Sequence, residues 1–280
     1  RLTMIPRYAI TILCLAALLA TGCKEEVAQE QPLPEPTWPV RPGEFVHVRQ
    51  FKAANSLETN RLSFSPDGSL LLASCREGGI YLWDVATGEL LLECKQPTTK
   101  ASRVVNVSFM PDGQRFLSSG GETVWLWDVA KGKLIQEYPF VGTAVHAIVP
   151  SANGEQVFVG TEDGGVHIVD VATGQAREAF RGKSGTYSLA LSPDEKFLVT
   201  GHSSSPHPEQ GPEAALPSVL LWDIETGKLV REFEPQASTT FEIAFLSDGE
   251  HVAGSGLISN YVWDVPTGKL LASPSQSPEL

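Results

Sequence analysis

Apolar and polar residues alternate along this chain in short runs, each closed by a turn. In Gly79-Ile80-Tyr81-Leu82-Trp83, Ile80 and Leu82 fall on one face of an extended strand, and Tyr81 and Trp83 on the other. The turn that ends this run recurs along the chain as Trp83-Asp84, Trp127-Asp128, Val169-Asp170, Trp222-Asp223 and Trp263-Asp264. The steps between successive marks are 44, 42, 53 and 41 residues. Each mark is followed by Gly four residues after its Asp: Gly88, Gly132, Gly174, Gly227 and Gly268. A second mark precedes each one: Ser65-Pro66-Asp67-Gly68, Met110-Pro111-Asp112-Gly113, Ser151-Ala152-Asn153-Gly154, Ser192-Pro193-Asp194-Glu195 and Leu246-Ser247-Asp248-Gly249. In Ser-Pro-Asp-Gly the proline presets φ, the aspartate bonds local backbone and the glycine takes a positive φ. Two turn signatures at one shared period predict an all-β array of small units.

The spacing leaves room for four short strands per repeat, which predicts the blades of a β-propeller. These paired motifs resemble WD40 repeats over about residues 44–273. The resemblance places strands of the first repeat near 45–51, 59–64, 69–75 and 79–84. It implies that Trp83, Asp84, Trp127, Asp128, Asp170, Trp222, Asp223, Trp263 and Asp264 are structural residues. Two departures stand out. The family's Gly-His dipeptide before the innermost strand is missing from all five repeats, and its structural aspartate survives only as Asp163. A linked Asp-His-Ser/Thr-Trp network should therefore be mostly absent, leaving apolar packing between sheets to hold the blades.

Net charge is −12 over 280 residues. An acidic surface repels phosphate backbones, which argues against nucleic acid as a partner. The first 22 residues read as a signal peptide: Arg7, an apolar run from Tyr8 to Ala20, then Thr21-Gly22-Cys23. This resembles a bacterial lipoprotein signal, which implies cleavage before Cys23, lipid on its sulfur and a membrane-anchored, extracytoplasmic (periplasmic-side) location; the alternative is an ordinary secretory signal in which Cys23 is incidental. Residues 23–43 hold that cysteine and an acidic, Pro-rich stretch that reads as a tether, and 274–280 read as a disordered tail. Cys75 and Cys94 sit on strands separated by a third, too far apart for a disulfide, and read as small hydrophobes.

No nucleophile elbow, metal-spaced Cys/His pair or His-Glu-x-x-His is present. Gly182-Lys183-Ser184 lacks the earlier glycine of a phosphate loop. No catalytic residue, cofactor or metal is therefore assigned. The long fourth step places an insertion at about residues 202–218, which reads either as a tolerated surface loop or as a binding lip. His202 and His207 lie in it, but a Ser/Pro-rich loop makes a poor rigid metal cage. The loops that crowd one end of a WD40-like propeller give a candidate partner-binding rim: Arg76, Glu77, Glu122, Glu162, Asp163, Lys100, Arg103, Arg181, Lys183, His202 and His207.

The reading is a membrane-tethered WD40-like propeller that binds a protein or peptide as a scaffold or sensor. The rival is an enzyme or small-molecule binder using the axial channel. The innermost strands favour the first, because Arg61, Leu62, Phe64, Val105, Val107, Ala147, Val149, Leu189, Leu191, Ile243 and Phe245 make a mostly apolar set. Five repeats where the family mostly has seven, with outer-strand sequences at both 45–51 and 269–272, predict an open or incomplete ring. The alternative is five blades closed with the N-terminal strand as clasp.

Overall fold

The computed structural model describes residues 50–52, 59–75, 78–97, 106–140, 143–203, 219–233, 239–256 and 260–272. The signal, the tether, the 274–280 tail and most of the 202–218 insertion lie outside them.

Each repeat folds as its turn chemistry directs. The first blade holds Thr59–Phe64 (β1), Leu70–Cys75 (β2), Gly79–Asp84 (β3) and Leu90–Lys95 (β4). The second holds Asn106–Phe109 (β5), Arg115–Gly120 (β6), Thr123–Asp128 (β7) and Lys133–Pro139 (β8). The third holds Val145–Pro150 (β9), Gln156–Thr161 (β10), Gly165–Asp170 (β11) and Ala176–Arg181 (β12). The fourth holds Thr186–Leu191 (β13), Phe197–His202 (β14), Val219–Asp223 (β15) and Leu229–Glu232 (β16). The fifth holds Thr240–Phe245 (β17), His251–Gly256 (β18), Asn260–Asp264 (β19) and Leu270–Ala272 (β20). Each sheet is antiparallel and built from four consecutive strands. The result is a five-bladed β-propeller, with no helix among the described residues.

The repeated aspartates fix the turn after the third strand of each blade. Asp84, Asp170 and Asp223 accept the backbone N–H three residues on, at 2.7–2.8 Å, and the Thr hydroxyl of that same residue. Asp264 does the same with Thr267. Asp128 keeps the backbone bond but, with Lys131 where the others have Thr, faces an ammonium at 3.6 Å in place of the hydroxyl. Such a turn captures the N–H groups that the reversal leaves without a ladder partner.

The strand faces match the alternation. Ile80 and Leu82 pack with Phe109, Phe116, Trp125 and Trp127 of the second blade, while Tyr81 and Trp83 pack on the opposite side. Apolar clusters of this kind join the first blade to the second, the second to the third, the third to the fourth and the fourth to the fifth. Cys75 and Cys94 take opposite faces of the first blade and are unbridged, and burial pushes the Cys94 thiol up to about 11. Outer strands are mostly exposed, and Leu91, Ile135, Val230 and Leu271 stand out on four of them.

The expectation of an open arc is corrected. The blades stand in a ring, and the seam between the fifth and the first is bridged at its inner edge. Arg61 on β1 pairs with Glu242 on β17 at 2.6 Å and donates to the Phe241 carbonyl at 2.8 Å. No strand is shared across the seam, and the fifth blade has its own outer strand in β20. Nor does an apolar cluster cross it among the described residues. Instead Phe51 sits edge-on to Trp83, 6.0 Å between ring centres, and the Lys52 carbonyl accepts the Trp83 indole N–H at 3.1 Å. The segment 50–52 thus covers the face that in the other blades meets a preceding blade. The strand expected at 45–51 lies almost wholly outside the described residues.

Candidate functional site

The chain direction defines two ends. Innermost strands β1, β5, β9, β13 and β17 start at the end that also carries the turns between second and third strands, called the top here. At that start β1, β9, β13 and β17 each show a register shift against the neighbouring strand. The shift falls at one residue in each strand: Asn60, His146, Tyr187 and Phe241. A bulge re-aims a side chain that would otherwise follow the alternation. His146 stacks on Tyr187 at 4.6 Å between ring centres, and Tyr187 meets Phe241 edge-on at 5.9 Å. Three adjacent blades thus present one aromatic arc beside the axis. All three rings are partly exposed.

Polar groups join the arc. The Arg61–Glu242 pair lies one residue below it, and Asn106 Nδ2 reaches the His146 carbonyl at 3.5 Å. Loss of hydration inside the ring raises the Glu242 carboxyl, partly offset by Arg61. Burial lowers His146, against a smaller opposing pull from Glu162. The His146 ring is therefore held neutral near pH 7, and its Nε2 is buried without a hydrogen-bond partner among the described residues. A buried donor or acceptor without a partner is costly, which marks this ring as held in place by the surrounding fold.

The inner-strand apolar residues do not line the axis. Val107 and Phe109, Ala147, Leu189, Ile243 and Phe245 all belong to clusters between blades. The apolar character of the inner strands therefore does not count against an axial site, because these side chains pack between the sheets.

The described members of the expected rim fall at the top. Asp163 ends the turn after β10, where it accepts the Thr161 hydroxyl at 2.7 Å and pairs with Arg181 at 3.2 Å. Partial burial works against its charge, but the Thr161 hydroxyl, the Gly165 N–H and Arg181 outweigh it and hold the carboxyl at about 2. Arg181 also binds Glu178. Glu162 shares the turn of Asp163 and Glu122 sits in the corresponding turn of the second blade, bonded through their backbones to Ala144 and Phe140 respectively, and Lys183 lies in the loop before β13. Arg76, Glu77, Lys100, Arg103 and His207 lie outside the described residues.

His202 is different. It is 1 % exposed and does not present itself to a partner. It ends β14, where its Nε2 lies 2.6 Å from the Thr200 hydroxyl and its Nδ1 3.0 Å from the Ser184 carbonyl. Thr200 in turn accepts the Trp222 indole N–H at 3.0 Å. The second blade keeps a shorter version, with Ser118 accepting from Trp127 at 2.8 Å and from Gln96 at 2.9 Å. Elsewhere the strand-to-Trp link is gone: Ala73 and Gly254 hold the equivalent places in the first and fifth blades, and the Trp263 indole N–H is buried without a partner among the described residues.

Burial pulls the His202 imidazole down to about 4, against a smaller upward pull from the Ser184 carbonyl. Above its ordinary value of 6.5 the ring is neutral in both states, and the network contributes fully. Between those values the unfolded chain binds a proton that the native one refuses, so stability falls as pH falls. From pH 7 to pH 5 the loss from this residue is expected to be about 2 kcal/mol. Urea unfolding of wild type and His202→Gln at the two pH values checks it; equal slopes in both would refute the assignment.

Residues 46–84 and 90–128 match the family "WD domain, G-beta repeat", which places that repeat in the first two blades. Over 220 residues, 76 % of this chain and 31 % of the relative, it is 25 % identical to "Transcription initiation factor TFIID subunit 5" of Caenorhabditis elegans. It is 26 % identical to "Periodic tryptophan protein 2" of Arabidopsis thaliana over 220 residues, 76 % of this chain and 23 % of that one. A stretch of 68 residues, 22 % of this chain and 5 % of the relative, is 35 % identical to human "Apoptotic protease-activating factor 1". The chain spans less than a third of the length of each of these relatives.

Proposed function

We propose that this propeller is a protein- or peptide-binding scaffold or sensor that docks its partner on the top face, over the mouth of the axis. One observation carries the reading. Bulges in consecutive inner strands aim His146, Tyr187 and Phe241 at the same place, with an unsatisfied imidazole nitrogen among them. Partly exposed aromatics next to hydrogen-bonding groups are the composition of binding hot spots. Glu122 and Glu162 add negative charge around the mouth, which suits a partner with basic residues. The family likeness supports the class of function, and a relative named as a subunit of a transcription initiation factor works within an assembly.

The test is capture of binding proteins by the full chain, compared with Tyr187→Ala and Glu162→Lys. Both variants are expected to keep the thermal midpoint within a few degrees and to lose the partner by at least about tenfold, the penalty of removing a hot-spot side chain. A partner held equally by both variants would place the interface elsewhere.

A second reading has its own support. Arg61, Asn106, His146, Tyr187 and Glu242 bring ionisable and hydrogen-bonding groups to the inner strands, the ingredients of a small-molecule site. Loss of a low-molecular-weight ligand, rather than a protein, in Tyr187→Ala would favour it.

The propeller is further proposed to be held outside the cytoplasm by lipid on Cys23. The motivation is the apolar run ending in Thr21-Gly22-Cys23, followed by an acidic, Pro-rich stretch. Cys23→Ser is expected to shift the protein from the membrane to the soluble fraction and to abolish lipid labelling. A mutant that stays in the membrane with full label would end the proposal.

A further inference from the structure

The repeat supplies its own comparison at the bottom face, where first and second strands of each blade are joined. At three junctions the proline of one turn lies against the glycine of the next. A Cβ on Gly113, Gly154 or Gly249 would stand 3.6, 3.1 or 3.7 Å from Pro66, Pro111 or Pro193 respectively. The junction of the third and fourth blades departs on both sides at once: Ala152 replaces the proline and Glu195 the glycine. Glu195 nevertheless keeps the turn's left-handed backbone, with φ of 55°, and is the only non-glycine residue among those described that does so. A side chain there is disfavoured by contact with the backbone, so its presence calls for a compensating use.

The two departures fit each other. Proline has no N–H, whereas Ala152 has one and donates it to Glu195 Oε1. A carboxylate offers about four acceptor positions, and this bond uses one. Where three other junctions place a proline ring against the next turn, this one holds a cavity of about 90 Å³. Phe158, Leu191 and Ile224 supply apolar walls, and Ser151, Asn153 and Glu195 supply polar ones. No basic side chain lines it. Lys196, the next residue along, is engaged with Asp194 at 3.1 Å.

We infer that this junction is a binding site for a guanidinium or ammonium head carried on a short apolar stem. The head meets the spare acceptor positions of Glu195, a charge-assisted contact, and the stem lies along Phe158, Leu191 and Ile224. Such a group belongs either to a free small amine or to an arginine or lysine side chain of a protein. The site is on the opposite face from the aromatic arc and stands whether or not a partner docks there.

Titration calorimetry on the full chain tests it with two probes: agmatine, and an arginine flanked by glycines in a peptide blocked at both ends. Wild type is expected to saturate at roughly millimolar concentration, as suits so small a contact. Glu195→Gly restores the residue of the other turns; it should melt no lower than wild type and bind at least about tenfold more weakly. Glu195→Gln, which keeps the shape and removes the charge, should weaken binding likewise. Binding of both probes indicates a protein side chain as the natural occupant, and binding of agmatine alone a small amine. Absence of saturable binding by either probe, or undiminished binding in Glu195→Gly, overturns the inference.

Discussion

Trp127→Ala is expected to destabilise the fold by about 3–5 kcal/mol, the usual cost of truncating a buried tryptophan. The side chain is 4 % exposed and lies parallel to Phe116, 5.9 Å between ring centres. It sits in the cluster that binds the second blade to the first, against Leu72, Ile80 and Leu82. Its removal therefore opens a cavity between two sheets rather than within one, and the sheets cannot collapse without moving their ladders. Ser118 loses one donor but keeps Gln96, so the polar cost is small and the apolar cost dominates. Equilibrium urea unfolding measures it. An unchanged midpoint would mean that the second blade is not held by this contact.

Arg61→Met should cost about 2 kcal/mol, a figure reduced for the partial exposure of both members of the pair. Two bonds are lost, one to the Glu242 carboxylate and one to the Phe241 carbonyl, and a carboxylate is left beside the axis without its counter-charge. The effect is directional. Hydrogen exchange should accelerate in β17 and β1 and leave β5, β9 and the strands outside them unchanged, because only the seam loses a bond. Uniform acceleration around the ring, or none at all, would contradict the role given to Arg61. Arg61→Met with Glu242→Gln should recover part of the loss, since no uncompensated charge then remains.

Much of the fold was legible because the turns are chemically specific. Asp84 and its four counterparts announce a reversal, and the strand limits around them follow within a residue. The faces of the third strands were legible as well, since Ile80 and Leu82 alternate cleanly with Tyr81 and Trp83. The site was less legible, for a local reason. A bulge adds one residue and reverses which face the next side chain takes, and alternation cannot register it. Asn60, His146, Tyr187 and Phe241 occupy one repeat position, yet they differ in size and polarity, so no pattern marks them as a set. Comparing that position across repeats, rather than reading along one strand, was the signal that could have found them. His202 was misplaced because it ends a strand at the edge of an insertion, where the sequence alone gives no sense of burial. The Pro–Gly junctions were hidden for a different reason: they are contacts between repeats more than 40 residues apart, invisible to any local rule.

The clasp at the seam also bears on the order in which the chain assembles. Neighbouring blades are joined by contacts some 40 residues apart, so each can dock as soon as its own repeat has been synthesised. The Arg61–Phe241 bond joins residues 180 positions apart and must wait for the last repeat. Bringing ends that far together costs about 1 kcal/mol more in chain entropy than closing one repeat. The seam should therefore be the final event of folding and the first to reverse, with a stacked, unclosed arc as the species that precedes the ring. Because Phe51 and Lys52 already cover Trp83, that arc would shield its leading sheet before the last one arrives.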